Sequence, residues 1–182
     1  QMLDSLQTSH TYLYTPDEPA YYQLLGIFYP RVPELETSLE KPFPNGKIEY
    51  AGIGIVTGGK AGKTFIKGVF EGSPAAKAGL KVGDQIVSVA GQPFHPIQSF
   101  LGKADQPVRL QVQPSLNASS QREIMVTPTL YDGITMFLEV MDDSVEVIKK
   151  SGKQIGYVHI WSYAGDQYQE KLENELFYGR LS

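Results

Sequence analysis

The chain has 182 residues, of which 41% are hydrophobic and 20% charged, a composition typical of a folded globular protein rather than a disordered one. Its 16 Lys and Arg against 20 Asp and Glu give a net charge of −4 without a basic stripe, so a nucleic-acid partner is not expected. The absence of cysteine excludes disulfides, thiolate metal ligands and cysteine nucleophiles. Three widely spaced histidines predict no metal site, no cofactor is expected, and no apolar run approaches the ~20 residues of a membrane span.

Residues 1–45 are rich in aromatic side chains and proline, and they predict one short helix. The run from Thr15 to Glu18 is typical of a helix start, with Thr15 as the N-cap and Pro16 as the first helical residue. Apolar side chains then recur at helical spacing and predict a single apolar stripe: Tyr21, Leu24, Leu25 and Phe28. This segment is too short to form a domain alone.

Residues 46–130 change to short β-type runs separated by glycine. The predicted strands are 48–50, 52–56, 64–70, 85–89, 108–112 and 123–126. Two short helices are expected between them, at 73–79 with Ser73 as its cap and at 96–102. Together these elements predict a compact, partly open β-barrel with two short helices, about ninety residues long.

Residues 131–182 show a third sequence pattern, in which strand-like runs precede a helix. Strands are expected at 134–140, 144–148 and 155–161, followed by an amphipathic helix at 166–177. A strand followed by a helix is how an α/β domain begins, so the chain as a whole is expected to be α+β.

The segment from Gly58 to Thr64 has the appearance of a phosphate-binding loop. Three residues, rather than the required four, separate Gly58 from Gly62, and a strand rather than a helix follows Lys63. We therefore predict a β-hairpin turn here and no nucleotide site.

The most specific motif combines Tyr50-Ala-Gly52-Ile53-Gly54-Ile55 with the run Glu71-Gly-Ser-Pro-Ala-Ala-Lys-Ala-Gly-Leu-Lys-Val-Gly-Asp-Gln-Ile-Val-Ser-Val-Ala-Gly-Gln-Pro93. This pattern closely resembles the PDZ domains of bacterial proteases. A glycine loop that presents unpaired N–H groups can hold a peptide's terminal carboxylate, and the strand after it offers an edge for β-augmentation. The resemblance implies that protein or peptide C-termini are the partners. It assigns the binding loop to Gly52, Ile53, Gly54 and Ile55, and the apolar pocket to Ile55, Phe100 and Leu101.

The segments that flank this motif extend the resemblance. Thr8-Ser9-His10-Thr11-Tyr12 before it and Ile155-Gly-Tyr-Val-His-Ile160 after it are similar to the tricorn-like branch of the C-terminal processing (tail-specific) serine proteases. The resemblance implies that His10 is the general base and Ser9 its accessory, with Gly165 as the nearest candidate for the oxyanion glycine. The family's nucleophilic serine has no counterpart here, because it lies in the part of the catalytic domain that follows.

The resemblance divides the chain into an N-terminal helical segment of the protease core (1–45), a PDZ domain (46–130) and the truncated start of an α/β catalytic domain (131–182). We therefore expect the front part of a serine endopeptidase, itself inactive, whose PDZ domain captures the C-termini of substrates. A non-enzymatic PDZ adaptor and an inactive relative of the proteases remain alternatives. Relatives act in several compartments, and the bacterial periplasm is favoured over the cytoplasm. The oligomeric state stays open.

Overall fold

The computed structural model describes residues 12–29, 32, 42–43, 45–114 and 120–182. The helices are α1 Pro19–Phe28, α2 Pro74–Lys77, α3 Met136–Ser144 and α4 Asp166–Phe177. The strands are β1 Glu49–Gly52, β2 Ile55–Lys60, β3 Lys63–Val69, β4 Gln85–Val89, β5 Val108–Gln113, β6 Arg122–Val126, β7 Thr129–Asp132, β8 Glu146–Lys150 and β9 Lys153–Tyr157.

A five-stranded antiparallel sheet in the order β2-β3-β4-β5-β6 forms the centre of the molecule. The hairpin between β2 and β3 turns at Ala61 and Gly62, whose φ angles of 52° and 71° match a two-residue turn with two left-handed positions. The prediction of a hairpin turn in place of a phosphate loop is therefore confirmed. β1 and β7 form a separate antiparallel pair, and β8 and β9 form another.

The inner side of the five-stranded sheet carries the first of two hydrophobic cores. Alternation along β5 buries Val108, Leu110 and Val112, because successive side chains of a strand point to opposite faces. We call this cluster the aliphatic core. Its buried members are Ala51, Ile53, Ile66, Ala75, Leu80, Ile86, Val89, Phe100, Val108, Leu110, Val112, Ile124 and Val126.

The second core, which we call the aromatic core, joins elements from both ends of the chain. Its buried members are Ile27, Tyr50, Phe70, Ile97, Tyr131, Met136, Phe137, Val140 and Tyr168. Phe70 meets Phe137 edge to face at 5.9 Å and Trp161 at 4.7 Å between ring centroids. Helices α1, α3 and α4 are thereby packed on the β1–β7 pair.

Two glycines bring α1 into backbone contact with the residue that follows β7. A Cβ added at Gly26 would lie 2.0 Å from the Gly133 carbonyl carbon, and one at Gly133 would lie 2.3 Å from the Tyr22 carbonyl oxygen. Gly133 also donates its N–H to the Ile48 carbonyl at 2.8 Å. The separation between α1 and the sheet is thus set by backbone atoms.

The start of α1 differs from the prediction. The helix begins at Pro19 with Glu18 as its N-cap, so Thr15 is not the cap and Pro16 is not the first helical residue. Residues 15–18 instead form a turn, in which the Glu18 N–H donates to the Thr15 carbonyl at 3.0 Å. The Thr15 N–H in return donates to the Glu18 carboxylate at 3.0 Å.

The segment predicted as a strand at 134–140 is a helix, α3, and that prediction is wrong. Buried positions along α3 recur at helical spacing, which brings them onto one face: Met136, Phe137, Val140, Met141 and Ser144. An apolar run this short fits a strand or a buried helix equally well.

The prediction of a helix at 96–102 is also wrong, because these residues form consecutive turns instead of a regular helix. Phe100 and Lys103 donate to carbonyls three residues back, at Ile97 and Phe100, and only Ser99 donates four residues back, to His95. We call residues 94–103 the turn segment.

Two predicted helices are confirmed. Helix α2 has its Ser73 cap, whose hydroxyl accepts the Ala76 N–H at 3.1 Å, and α4 spans 166–177 as expected. The strands expected at 144–148 and 155–161 appear in shifted positions as the β8–β9 hairpin. Over the residues that the structure describes, none of the helices is long and apolar enough to cross a bilayer.

Candidate functional site

A cleft of about 210 Å³ opens where the two cores meet. The β1–β2 loop forms its closed end, β2 one wall and the turn segment the opposite wall. The residues that line it are Glu18, Pro19, Ala20, Gln23, Tyr50, Gly52, Ile53, Gly54, Ile55, Val56, Thr57, Phe94, Pro96 and Phe100.

The β1–β2 loop holds its shape through its carbonyl groups. The Ile53 carbonyl accepts the Ala75 N–H at 2.9 Å, and the Gly54 carbonyl accepts the Phe70 N–H at 2.9 Å. Gly54 has a φ of 78°, and a Cβ there would lie 2.3 Å from both the Ser73 Cβ and the Tyr131 hydroxyl. A non-glycine residue at this position is therefore destabilising on two independent grounds, the left-handed φ and the close contacts of its Cβ.

The N–H groups of the loop, in contrast, are available. Among the described residues, Gly54 N–H donates to no acceptor. The bond from Phe70 to Gly54 makes Ile55 and Val69 a non-hydrogen-bonded pair, so the N–H and C=O of Ile55 point away from β3. Since β2 is at the end of the sheet order, these groups face an open edge beside the cleft.

The apolar pocket contains two of the three side chains predicted for it. Phe100 is buried and packs edge to face on Phe94 at 6.3 Å, and Ile55 lines the cleft from β2. Leu101 is 64% exposed and is not among the lining residues. The turn segment directs Phe100 inward and the next residue outward, so the structure does not place Leu101 in this pocket.

Helix α1 supplies a third wall that sequence reasoning did not foresee. Gln98 Nε2 on the turn segment donates to Asp17 Oδ1 at 3.0 Å, and Gln23 Nε2 donates to the Tyr50 hydroxyl at 2.9 Å. Burial raises the pKa of Tyr50, with the Gln23 hydrogen bond acting in the opposite direction, so this phenol is neutral at pH 7. These contacts join residues 27 and 81 positions apart, and no local pattern carries such a signal.

Of the three predicted catalytic residues, the structure describes Gly165. Ser9 and His10 lie outside the described residues. Gly165 is the N-cap of α4 and donates its N–H to the Tyr163 carbonyl at 2.8 Å. The N–H of Gly165 is engaged in this bond, and the role of Gly165 as the oxyanion glycine stays a prediction.

A polar cluster ties the segment after β9 to the turn that precedes α2. His159 Nδ1 lies 2.6 Å from Glu71 Oε1, and Trp161 Nε1 donates to Glu71 Oε2 at 2.8 Å. The His159 N–H donates to the Ser144 hydroxyl at 2.8 Å. Partial burial raises the pKa of Glu71, but the hydrogen bonds from Trp161 and His159 outweigh it and hold that pKa below its ordinary value.

Comparison with known proteins identifies the central sheet. Residues 65–114 match the PDZ domain family. Tricorn protease homolog 1 of Streptomyces coelicolor is 34% identical over 94 residues, which are 48% of this chain and 9% of that protein. Carboxy-terminal processing protease CtpB of Bacillus subtilis is 36% identical over 70 residues, 35% of this chain and 15% of that protein. The chain thus spans a small part of the length of these relatives.

Two solved structures, one of a protease PDZ domain and one of a putative protease, are similar to this chain at low TM-score. The PDZ domain of a carboxy-terminal protease from Vibrio cholerae, in complex with peptide, has 22% identity and a TM-score of 0.37 over 46% of this chain and 97% of that one. A putative S41 protease from Bacteroides fragilis has 15% identity and a TM-score of 0.35 over 90% of this chain and 51% of that one. On the family match and the two sequence relatives, the chain contains a PDZ domain and is distantly homologous, over part of its length, to C-terminal processing and tricorn-like proteases.

Proposed function

We propose that the cleft captures the C-termini of protein substrates and that the chain is the front part of a serine endopeptidase. The observation that carries the first half is the open edge of β2, where the Gly54 N–H and the backbone of Ile55 face an apolar cleft. The relatives supply the second half, since both are named as proteases.

The mode of capture follows from this geometry. A peptide added to the β2 edge pairs with the outward N–H and C=O of Ile55, as in β-strand addition. Its terminal carboxylate accepts the free Gly54 N–H, a charge-assisted bond that an amide terminus lacks. Its last side chain then enters the apolar pocket between Ile55 and Phe100.

Amidation of the peptide tests the capture. A short peptide with an apolar last residue should bind the 182-residue chain at least about tenfold more tightly as the free acid than as the C-terminal amide, because hydrogen bonds to charged groups contribute about 1.5–3 kcal/mol. Fluorescence anisotropy of a labelled peptide measures both affinities. Equal affinities for the two forms would remove the carboxylate from the mechanism.

Neighbouring positions on the turn segment provide matched variants. Phe100→Leu alters the pocket and should weaken binding several-fold, whereas Leu101→Ala changes an exposed side chain outside the cleft and should leave the affinity unchanged. Circular dichroism establishes that both variants are folded. An effect of Leu101→Ala as large as that of Phe100→Leu would place the peptide elsewhere.

The protease half assigns roles to residues outside the described part of the chain. His10, assisted by Ser9, acts as the base for a serine that a longer protein supplies, because a serine hydroxyl needs an adjacent base near pKa 6.5. In that longer protein, His10→Ala should lower kcat by about three or more orders of magnitude on an unfolded protein substrate. Unchanged turnover would eliminate His10 as the base.

The 182 residues alone should hydrolyse no substrate, since the nucleophile segment is missing. Hydrolysis by this chain that is lost in a Ser9→Ala/His10→Ala variant would contradict the truncation. Carboxylate-dependent binding combined with an inactive longer protein would instead favour a PDZ adaptor or an inactive relative.

A further inference from the structure

We propose that the first turn of α1 belongs to the peptide-binding site and that Glu18 selects C-termini with a basic side chain among their last residues. This inference rests on the proposed capture of peptide C-termini and names the chemical class of peptide. It concerns a wall contributed from outside the five-stranded sheet.

The position of the wall is fixed at both ends of α1. At the cleft, Asp17 is bound to Gln98 on the opposite wall and Gln23 to Tyr50 on β1. At the far end, the backbone contact between Gly26 and Gly133 holds the helix against the sheet. A peptide on the β2 edge therefore meets Pro19 and Ala20 as a preformed apolar surface rather than bulk solvent.

The cleft is large enough to enclose the end of a peptide but not a longer segment. The cavity of about 210 Å³ lies below the roughly 300–1,000 Å³ of pockets that take drug-sized ligands. A cavity of this size suits the last side chain and its neighbour. The side chains that precede them must leave the cleft past the rim, where Glu18 lies.

Charge distinguishes Glu18 from the rest of the lining. Among the described residues that line the cleft, Glu18 alone carries a charge, and Asp17 beside it is also acidic. The Glu18 carboxylate accepts the Thr15 N–H through Oε2. A carboxylate oxygen has further lone pairs, so Glu18 can accept a Lys or Arg of a bound peptide without giving up this bond.

A stepped peptide series tests the selectivity with the 182-residue chain. Each peptide ends in the same apolar residue with a free carboxylate, and a single Lys occupies one of the four preceding positions; partner peptides carry Gln at that position. At one position or more, Lys should bind about threefold more tightly than Gln at low salt, and the difference should shrink at 1 M salt, as for an exposed ion pair.

The Glu18→Gln variant isolates the carboxylate, since glutamine can still accept the Thr15 N–H. The Lys preference should disappear in Glu18→Gln and persist in the control Glu123→Gln, which removes an exposed carboxylate on β6 that pairs with Arg109. If the unsubstituted chain shows no preference for Lys over Gln, or if Glu18→Gln shows the same preference, Glu18 does not have the proposed role. Tighter binding of the free acid than of the amide would in that case still support the capture of C-termini. Loss of free-acid preference for every peptide overturns the capture itself, and this inference with it.

Discussion

The two cores of the molecule differ in composition and in the parts of the chain that they join. Most of the aliphatic core comes from strands of the five-stranded sheet, and the rest comes from β1, the β1–β2 loop, α2 and the turns that cover the sheet. The aromatic core takes Ile27 from α1, Tyr131 from β7 and Tyr168 from α4. Packing therefore crosses the expected PDZ boundaries at 46 and 130, because β1 and β7 share a core with the flanking helices.

Cavity-forming substitutions in each core are the strongest test of whether the two are one cooperative unit. Leu110→Ala in the aliphatic core and Met136→Ala in the aromatic core remove side chains with no exposed surface, and each should reduce the free energy of unfolding by about 2–5 kcal/mol. Denaturant unfolding followed by tryptophan fluorescence and by far-UV circular dichroism measures both, since the chain's one tryptophan, Trp161, packs on Phe70 of the aromatic core.

Coincident transitions with the two probes in both variants would show one cooperative unit. If Met136→Ala moves the fluorescence transition alone and leaves the circular dichroism transition in place, the sheet and its flanks unfold separately. The comparison would then describe two domains rather than two cores of one.

A second test compares Gly54, in the β1–β2 loop where the two cores meet, with Gly62, in the turn between β2 and β3. The two glycines have similar φ angles. Gly54→Ala forces a Cβ against Ser73 and Tyr131, in addition to the cost of a left-handed φ, and should lower stability by about 2 kcal/mol or more and abolish free-acid peptide binding. Gly62→Ala has a similar φ of 71° with no atom within 4 Å of the new Cβ, and should cost about 1 kcal/mol without affecting binding.

Both effects can be read from thermal unfolding and peptide anisotropy on the same samples. If Gly54→Ala binds the free acid as tightly as Gly62→Ala does, the carboxylate does not occupy this loop.

Local patterns were sufficient to predict much of the aliphatic half of the fold. The strand at 85–89 follows from its run of β-branched residues, and the hairpin turn within 58–64 follows from a glycine-rich run that a strand succeeds. The Ser73 cap of α2 is likewise a contact between residues three apart.

The aromatic half and the cleft wall depend on contacts between distant residues, which a local pattern does not contain. Residues 136–140, which the sequence predicts as part of a strand, belong to α3, whose buried side chains share the aromatic core with Phe70 and Tyr168. For the same reason a local pattern does not distinguish Phe100 from Leu101, because the turn that carries them directs only Phe100 into the cleft.

The polar cluster of Glu71, His159 and Trp161 predicts that the free energy of unfolding depends on pH, with a smaller effect than the substitutions above. Because the pKa of Glu71 is held below its ordinary value of 4.5, its ionised form stabilises the fold, fully above about pH 4.5 and progressively less as the pH falls through the folded-state pKa. Glu71→Gln should cost about 1 kcal/mol at pH 7 and less at pH 3. Denaturant unfolding at a series of pH values measures the difference, and a difference that is constant with pH would remove Glu71 from this role.

The smallest effect is expected at the surface of the aromatic side. Hydrogen bonds from Arg180 outweigh burial and hold the pKa of Glu175 at about 2, and both residues share a network with Asp142 and Lys171. Arg180→Ala should raise that pKa part of the way toward 4.5 and cause a small loss of stability at pH 7, because Arg180 is half exposed and Lys171 still pairs with Glu175. An NMR titration of the Glu175 carboxyl reads the shift, and a pKa that stays near 2 would assign it to Lys171.

The contact between Gly26 and Gly133 fixes where α1 lies against the sheet, whereas other residues of the wall determine which side chains face the cleft. A side chain at either glycine would push α1 away from the sheet, so any substitution at these two sites would change the width of the cleft. The N-cap Glu18 and the first-turn residue Ala20 are under no such constraint from that contact. If the cleft captures C-termini as proposed, substitutions near this turn would change which termini bind while the β2 edge and the β1–β2 loop stay as they are.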